Sequence, residues 1–541
     1  MKRGCEMKSI WKLKYAVLLA LCANTAYAGD TTEERIAKLQ KTLEEQQSQM
    51  KAMADELKAL QQQAPRATAS QVVVPQEGQN QIQEQQWQLQ AMSEELKALQ
   101  QKPTVVVSEK DGIGLKSSNG DFSIKLHGLV QADYRSNEVA GVTSTGWLIR
   151  KARPWIEGSL FGWIDYKLTP EFATTTTNVA TTPSGTGATA VGSTTLGTPE
   201  VIDAYADFKF QPWLKVRAGK FKPFVGLARL QSDTVGKFLE QSFVTSNLLP
   251  QRDVGIALFG DVLDGKLSYA AGFSNGVIDG GDQSVALDNN NDKEFTARVF
   301  AEPFKGEESI LAGLGFGIAG TQINQRGSNG TTGASSQLPS YRSFSQNNFF
   351  SYITGSTVTN AQNAYANGDR TRWSPQMYYY YGPFGVMAEY AQESQDVTRG
   401  LTTRSLDHDA WEVTASYILT GEKASYGDVK PNQPFKPGND GWGAWEIVAR
   451  YNEMNLDDNT FVGATAATSN TTNTALADIT KSAKSAKGAG IGLNWYLNNY
   501  TRFSLDYEHT SFDGGAAGST LTHLVDKPAE NTMIGRLQVS F

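Results

Sequence analysis

The chain has 541 residues, with 49 Lys+Arg against 56 Asp+Glu, 10% aromatic residues, 51 glycines and two cysteines. The acidic balance excludes a nucleic-acid partner, which needs a basic face for the phosphate backbone. Both cysteines, Cys5 and Cys22, lie near the N-terminus in a segment that reads as removable, so neither a disulfide nor a thiol is expected in the mature protein.

Lys2, Arg3, Lys8, Lys12 and Lys14 precede an apolar run from Ala16 to Ala23, and Ala26-Tyr27-Ala28 offers small residues for cleavage. This pattern predicts a secretory signal over residues 1–28, with Gly29 as the first mature residue and Met7 as a second possible start. Cys22 follows Leu21, where a lipoprotein signal would place a small residue, so lipidation is not expected. Removing residues 1–28 takes five basic groups and one acidic one, leaving 44 minus 55, a formal charge of −11. Beyond the signal no run of about 18 apolar residues remains, which excludes a transmembrane helix.

Residues 29–102 predict a short N-terminal coiled coil. Ile36, Leu43, Met50 and Leu57 share one heptad position, and Leu39, Met53 and Leu60 share the other. After a linker at 64–80 containing Pro65 and Pro75, Ile82, Leu89, Met92, Leu96 and Leu99 resume the pattern. MADELKALQQ (53–62) returns as MSEELKALQQ (92–101), an offset of 39 that is no multiple of seven, so the linker resets the register. Residues 103–120 read as a second linker.

From residue 121 the apolar period changes to two. Ile124, Leu126, Val130, Ala132 and Tyr134 alternate with Lys125, His127, Gln131, Asp133 and Arg135. Similar alternation predicts strands at 121–135, 147–157, 160–170, 201–210, 213–221, 253–260, 266–274 and 293–303. It continues at 309–320, 371–381, 384–394, 409–420, 443–453, 486–498, 501–512 and 531–541. Sixteen is an even number, and each stretch has the length of a tilted strand that crosses a bilayer.

The connections point the same way. Odd-numbered ones are long (136–146, 171–200, 222–252, 275–292, 321–370, 395–408, 454–485 and 513–530) and rich in Gly, Ser, Thr and Asn. Even-numbered ones are mostly tight, as at Gln211-Pro212, Leu263-Asp264-Gly265 and Gly382-Pro383; 421–442 is the exception. The expected fold is an all-β, 16-stranded antiparallel transmembrane barrel over 121–541, set in an outer membrane with the N-terminal segment in the periplasm. Such a barrel is too wide for its own side chains to fill and leaves an aqueous channel.

Four stretches carry a family resemblance: GWLIRKARPWIEGSLFGWIDYKL (146–168), AGKFKPFVGL (218–227), SYILTGEK (416–423) with GWGAWEIVARY (441–451), and IGLNWYLNN (491–499). The chain from about residue 120 onward resembles the phosphate-selective porin O/P family. That resemblance implies a homotrimeric outer-membrane porin whose third outer loop folds inward to form an anion-binding constriction. By position it implies channel roles for the basic pair Arg150 and Lys151, the acidic Asp203, and Arg229 and Ser232 in the third loop. Guanidinium, ammonium and hydroxyl groups suit phosphate oxygens, and a nearby carboxylate keeps binding weak enough for release. The chain departs from the pattern at Asp233, where a further donor is expected, and in the fifth outer loop, where Arg326, Arg342, Arg370 and Arg372 make a sparse basic set.

Other patterns lead nowhere chemical. Gly315-Phe316-Gly317-Ile318-Ala319-Gly320 matches a phosphate-loop spacing but opens no helix. Asp288, Asn290 and Asp292 have calcium-loop spacing without the glycine and closing glutamate. His127, His408, His509 and His523 are scattered, no nucleophile elbow occurs, and no metal, cofactor or enzyme is expected. Three readings stay open: an anion-preferring, phosphate-type porin, a general or other-solute porin, and a barrel anchor whose coiled coil spaces the outer membrane from the cell wall.

Overall fold

The computed structural model describes residues 104–108, 112–173, 199–282, 290–329, 335–354, 363–438, 440–463 and 474–541, with isolated helical positions between 38 and 94. The signal at 1–28, the coiled coil over 29–102 apart from those positions, and Asp288 lie outside the described residues. Residues 106–114 and 121–541 form one compact unit.

Sixteen long strands build the wall of that unit, and the stretch expected as a linker at 103–120 contains two short strands, Thr104–Ser108 and Gly112–Lys116. The long strands are β1 (Ser123–Val139), β2 (Val142–Leu160), β3 (Ile164–Glu171), β4 (Glu200–Gln211), β5 (Leu214–Phe221), β6 (Asp253–Val262), β7 (Leu267–Ser274) and β8 (Glu294–Ala301). Then follow β9 (Leu314–Arg326), β10 (Ala364–Tyr381), β11 (Phe384–Arg399), β12 (Thr402–Ile418), β13 (Ala444–Asn455), β14 (Ala483–Tyr496), β15 (Thr501–Gly514) and β16 (Glu530–Ser540). Each pairs antiparallel with the next, and β16 pairs with β1 from Glu530↔Val139 to Ser540↔Leu129. The sheet therefore closes on itself, as it must where lipid cannot satisfy an open edge.

Alternation along β16 accounts for its two faces. Met533, Leu537 and Val539 are exposed on the outside, while Thr532, Arg536 and Gln538 are buried inside. An apolar outer band with a polar lumen is what a bilayer demands. At the short-turn end, Leu263, Asp264 and Gly265 all take positive φ (54°, 56° and 77°), the left-handed geometry of a tight hairpin.

Several predicted boundaries shift. The connections expected at 136–146 and 395–408 are strand instead: β1 and β2 stay paired up to Ala140-Gly141, and β11 and β12 up to Gly400-Leu401. The ladder continues there although the apolar alternation has ended. The strand expected from 309 begins at Leu314, because Ala312 N donates to Ser309 O (3.0 Å) and Leu314 N to Leu311 O (2.9 Å) in consecutive turns.

The lumen is not empty. Residues 222–252, between β5 and β6, cross the barrel to the wall formed by β11–β15. Their backbone is held there by acceptors: Leu227 N donates to Glu389 Oε1 (2.8 Å), Leu239 N to Asp506 Oδ2 (2.6 Å) and Phe243 N to Asn452 Oδ1 (3.2 Å). Lys237 Nζ pairs with Glu446 at 2.7 Å, and Ser242 Oγ donates to Glu412 at 2.7 Å. Phe243, Val244, Leu248 and Leu249 then pack on Tyr341, Phe344, Phe349 and Phe350 of the fifth long connection. Phe243 stacks on Phe344 with centroids 4.8 Å apart. Burying one such side chain contributes about 1.5–3 kcal/mol.

The anomalous connection 421–442 also has a reason for its length. Ala424 and Val429 pack on Ile418, Ala444 and Tyr496, and Tyr426 OH donates to Leu227 O at 2.5 Å. Gln231 Nε2 donates to Tyr426 O at 2.8 Å, so this connection props the crossing segment from the short-turn side.

Candidate functional site

In a regular strand, neighbouring residues point to opposite faces, so Arg150 and Lys151 could not both reach the lumen. A β-bulge resolves this. Gln131 pairs with Lys151 and the next residue, Ala132, with Ile149, leaving Arg150 as the extra residue. Bulges re-aim side chains in this way. Both basic groups then meet the crossing segment: Lys151 Nζ lies 3.2 Å from Asp233 Oδ1, and Arg150 Nη2 lies 3.5 Å from Glu240 Oε2.

Asp233 is the centre of the arrangement. Besides Lys151, its carboxylate takes Arg153 in a close ion pair, Arg252 Nη2 at 3.6 Å and Lys222 Nζ at 3.8 Å. Burial would raise its pKa, but Lys151, Lys222, Arg153 and Arg252 together hold it well below the usual carboxylate range. Glu240 behaves likewise: against the effect of burial, Arg135 and Arg150 bring it down to about 2. Lys222 sits where burial outweighs Asp233, and its ammonium falls to about 8.

Asp203 reaches the same cluster, accepting from Arg252 Nε at 2.9 Å. Its neighbour Ile202, which regular alternation would turn toward lipid, is buried and lines the same cavity as Asp203. A second bulge is the reason: Thr169 pairs with Asp203 and Pro170 with Val201, which leaves Ile202 extra. Ser232 borders the cluster and shares a hydroxyl contact of 3.0 Å with Thr234. Arg229 is placed differently. It is 2% exposed, its Nη2 donates to Thr245 O within its own segment, and burial lowers its guanidinium to about 10. Arg370 and Arg372 are fully buried against Glu294, with Arg372 also on Asp279, and form no ladder.

Of the three cavities that border the cluster among the described residues, two are large. One of about 280 Å³ is lined by basic Arg153, Lys167, Arg217, Lys222 and Arg252 and by acidic Asp203 and Asp233, five against two. The other, of about 390 Å³, is lined by Arg150, Lys151, Arg153, Arg229, Arg252, Arg342 and Arg536 against Asp233, Glu240 and Asp279, seven against three. The sequence reading missed Arg153, Lys222 and Arg252. Arg153 was recoverable, since it lies two residues from Lys151 and shares its face, whereas Arg252 depends on where the crossing segment ends.

Residues 124–541 match the family described as "Phosphate-selective porin O and P". Porin O of Pseudomonas aeruginosa is 22% identical over 447 residues, covering 76% of this chain and 87% of that protein. An uncharacterized protein of Caulobacter vibrioides is 24% identical over 280 residues, and the chain spans about half of its length (51%). Among solved structures, OprB of Pseudomonas putida aligns with a TM-score of 0.48 at 9% identity, over 77% of this chain and 94% of that one. The channel DcaP of Acinetobacter baumannii aligns with a TM-score of 0.46 at 10% identity, over 79% and 99%. The closed sixteen-stranded barrel and the match over most of its length lead to one assignment: the chain belongs to the phosphate-selective porin O and P family, channel-forming β-barrels of the outer membrane.

Proposed function

We propose that this porin prefers small anions, phosphate among them, and that the segment 222–252 narrows its pore against the wall of β2–β6. The observation that carries this reading is the excess of basic over acidic groups around both cavities, five against two and seven against three. A fixed positive excess in a water-filled constriction raises local anion concentration and repels cations. The acidic side chains Glu389, Glu412, Glu446 and Asp506 of β11–β13 and β15, which hold the crossing segment, line neither of these cavities, and Glu446 is paired with Lys237. We further propose that three copies assemble in the membrane, as the family resemblance implies.

The test is electrophysiological. Purified protein in planar bilayers under a KCl gradient should give a reversal potential of the sign set by chloride, and phosphate should reduce the chloride current. A Lys151→Gln variant should move the reversal potential toward the cation side. A wild-type channel selective for potassium would overturn the proposal.

A further inference from the structure

The Asp233 carboxylate stands where a permeating oxyanion would be expected to pause. Four cationic side chains from three stretches of chain converge on it: Lys151 and Arg153 from β2, Lys222 just after β5, and Arg252 just before β6. Such convergence of ammonium and guanidinium donors on two oxygens is how proteins hold carboxylate or phosphate groups. Here the anion belongs to the chain itself. Asp233 also lines both cavities, so it lies at their junction.

We infer that Asp233 is a resident anion that competes with passing anions for the four cationic groups, and so sets weak binding and fast release. This rests on the anion-preferring reading above and deepens it. The other partners of three of the four groups leave them poised for exchange. Arg153 retains Glu171, Arg252 retains Asp203, and Lys222 Nζ donates to Gln231 O at 2.7 Å. A solute oxyanion therefore needs to replace a single carboxylate, while Arg153, Arg252 and Lys222 keep their other partners throughout. Conduction requires a site of this kind, favourable enough to enter and weak enough to quit.

The experiment compares wild type with Asp233→Asn, measuring block of chloride current by inorganic phosphate. The half-blocking concentration should fall by about tenfold on removal of the competing carboxylate. A double variant, Asp233→Asn with Lys222→Gln, keeps the net charge of the cluster while leaving the position open. It should also bind phosphate more tightly than wild type, which a mere change of net charge would not produce. Folding of each variant is checked by the heat-dependent shift in gel mobility, and Asp233→Ser replaces the asparagine variant if that one does not fold. Block as weak as wild type in the folded single and double variants would overturn the inference. Cation selectivity of the wild type would instead overturn the function proposed above, and the comparison between variants would still read out the role of Asp233.

Discussion

Arg252 Nε donates to Asp203 Oδ1 at 2.9 Å, joining the end of the crossing segment to strand β4. Both side chains are largely buried and also line the cavity of about 280 Å³. Asp203→Ala should lower stability by about 1.5–3 kcal/mol, the range for a hydrogen bond to a charged group, since Arg252 keeps Asp233. Urea titration of detergent-folded protein measures it. Stability equal to wild type would mean that this pair does not anchor the segment.

The bulge at Arg150 makes an unusual deletion tolerable. Removing one residue from a strand normally turns every following side chain to the wrong face. Here Lys151 and Ile149 already oppose neighbouring residues of β1, so deleting Arg150 restores a regular ladder. The deletion variant should fold and retain most of its anion preference, whereas deleting Ala152 should abolish folding. Equal failure of both would remove the bulge from the account of the site.

Lys222 supplies a pH dependence. Its ammonium, lowered to about 8 by burial, faces Asp233, Arg252, Arg229 and Asp203. It is charged below that pH and neutral above it, whereas an ordinary lysine stays charged to about 10.4. Anion preference should therefore weaken as pH rises from 7 to 9, and a Lys222→Gln channel should lack that step. Asp233 and Glu240 stay ionised across this range and add no step of their own. Reversal potentials at a series of pH values decide the matter.

At the barrel seam, Gly128 and Phe541 exchange backbone hydrogen bonds of 2.9 and 3.0 Å. A Cβ on Gly128 would lie 2.4 Å from the Phe541 ring, which is half exposed and free to swing aside. Gly128→Ala should thus cost under about 1 kcal/mol, while deletion of Phe541 loses both bonds, about 1–3 kcal/mol. The opposite ranking in urea titrations would assign the closure to ring packing instead of backbone pairing.

Deleting residues 29–102 should leave single-channel conductance unchanged, because all sixteen strands and the whole charge cluster lie beyond them. A changed conductance would place that segment in or under the pore.

Strand number and the lipid-facing pattern were legible because the bilayer imposes them on one face of every strand. The loops expected at 136–146 and 395–408 fail for the same reason in reverse. Outside the bilayer neither face needs to be apolar, so the hydrophobic period fades while the hydrogen-bond ladder goes on. Within the site, Arg150 and Lys151 were identified, but the bulge that turns both inward leaves no mark in side-chain chemistry. Asp233 read as a misplaced acid because its partners are far away in sequence, 80 positions in the case of Arg153. Arg229 takes its expected channel role from its position in the family pattern; it does line the larger cavity, while its burial and its bond to the Thr245 carbonyl follow from the local turn of the segment.

The segment 222–252 leaves the wall at β5, is fixed to β11–β15, and returns at β6. A tube of sixteen strands without internal support is easily squashed into an oval. A tie running across it resists such flattening, as a strut does in a pipe. The cross-section, and with it the current through a single pore, should accordingly stay steady when the membrane is stretched or the osmotic load changes.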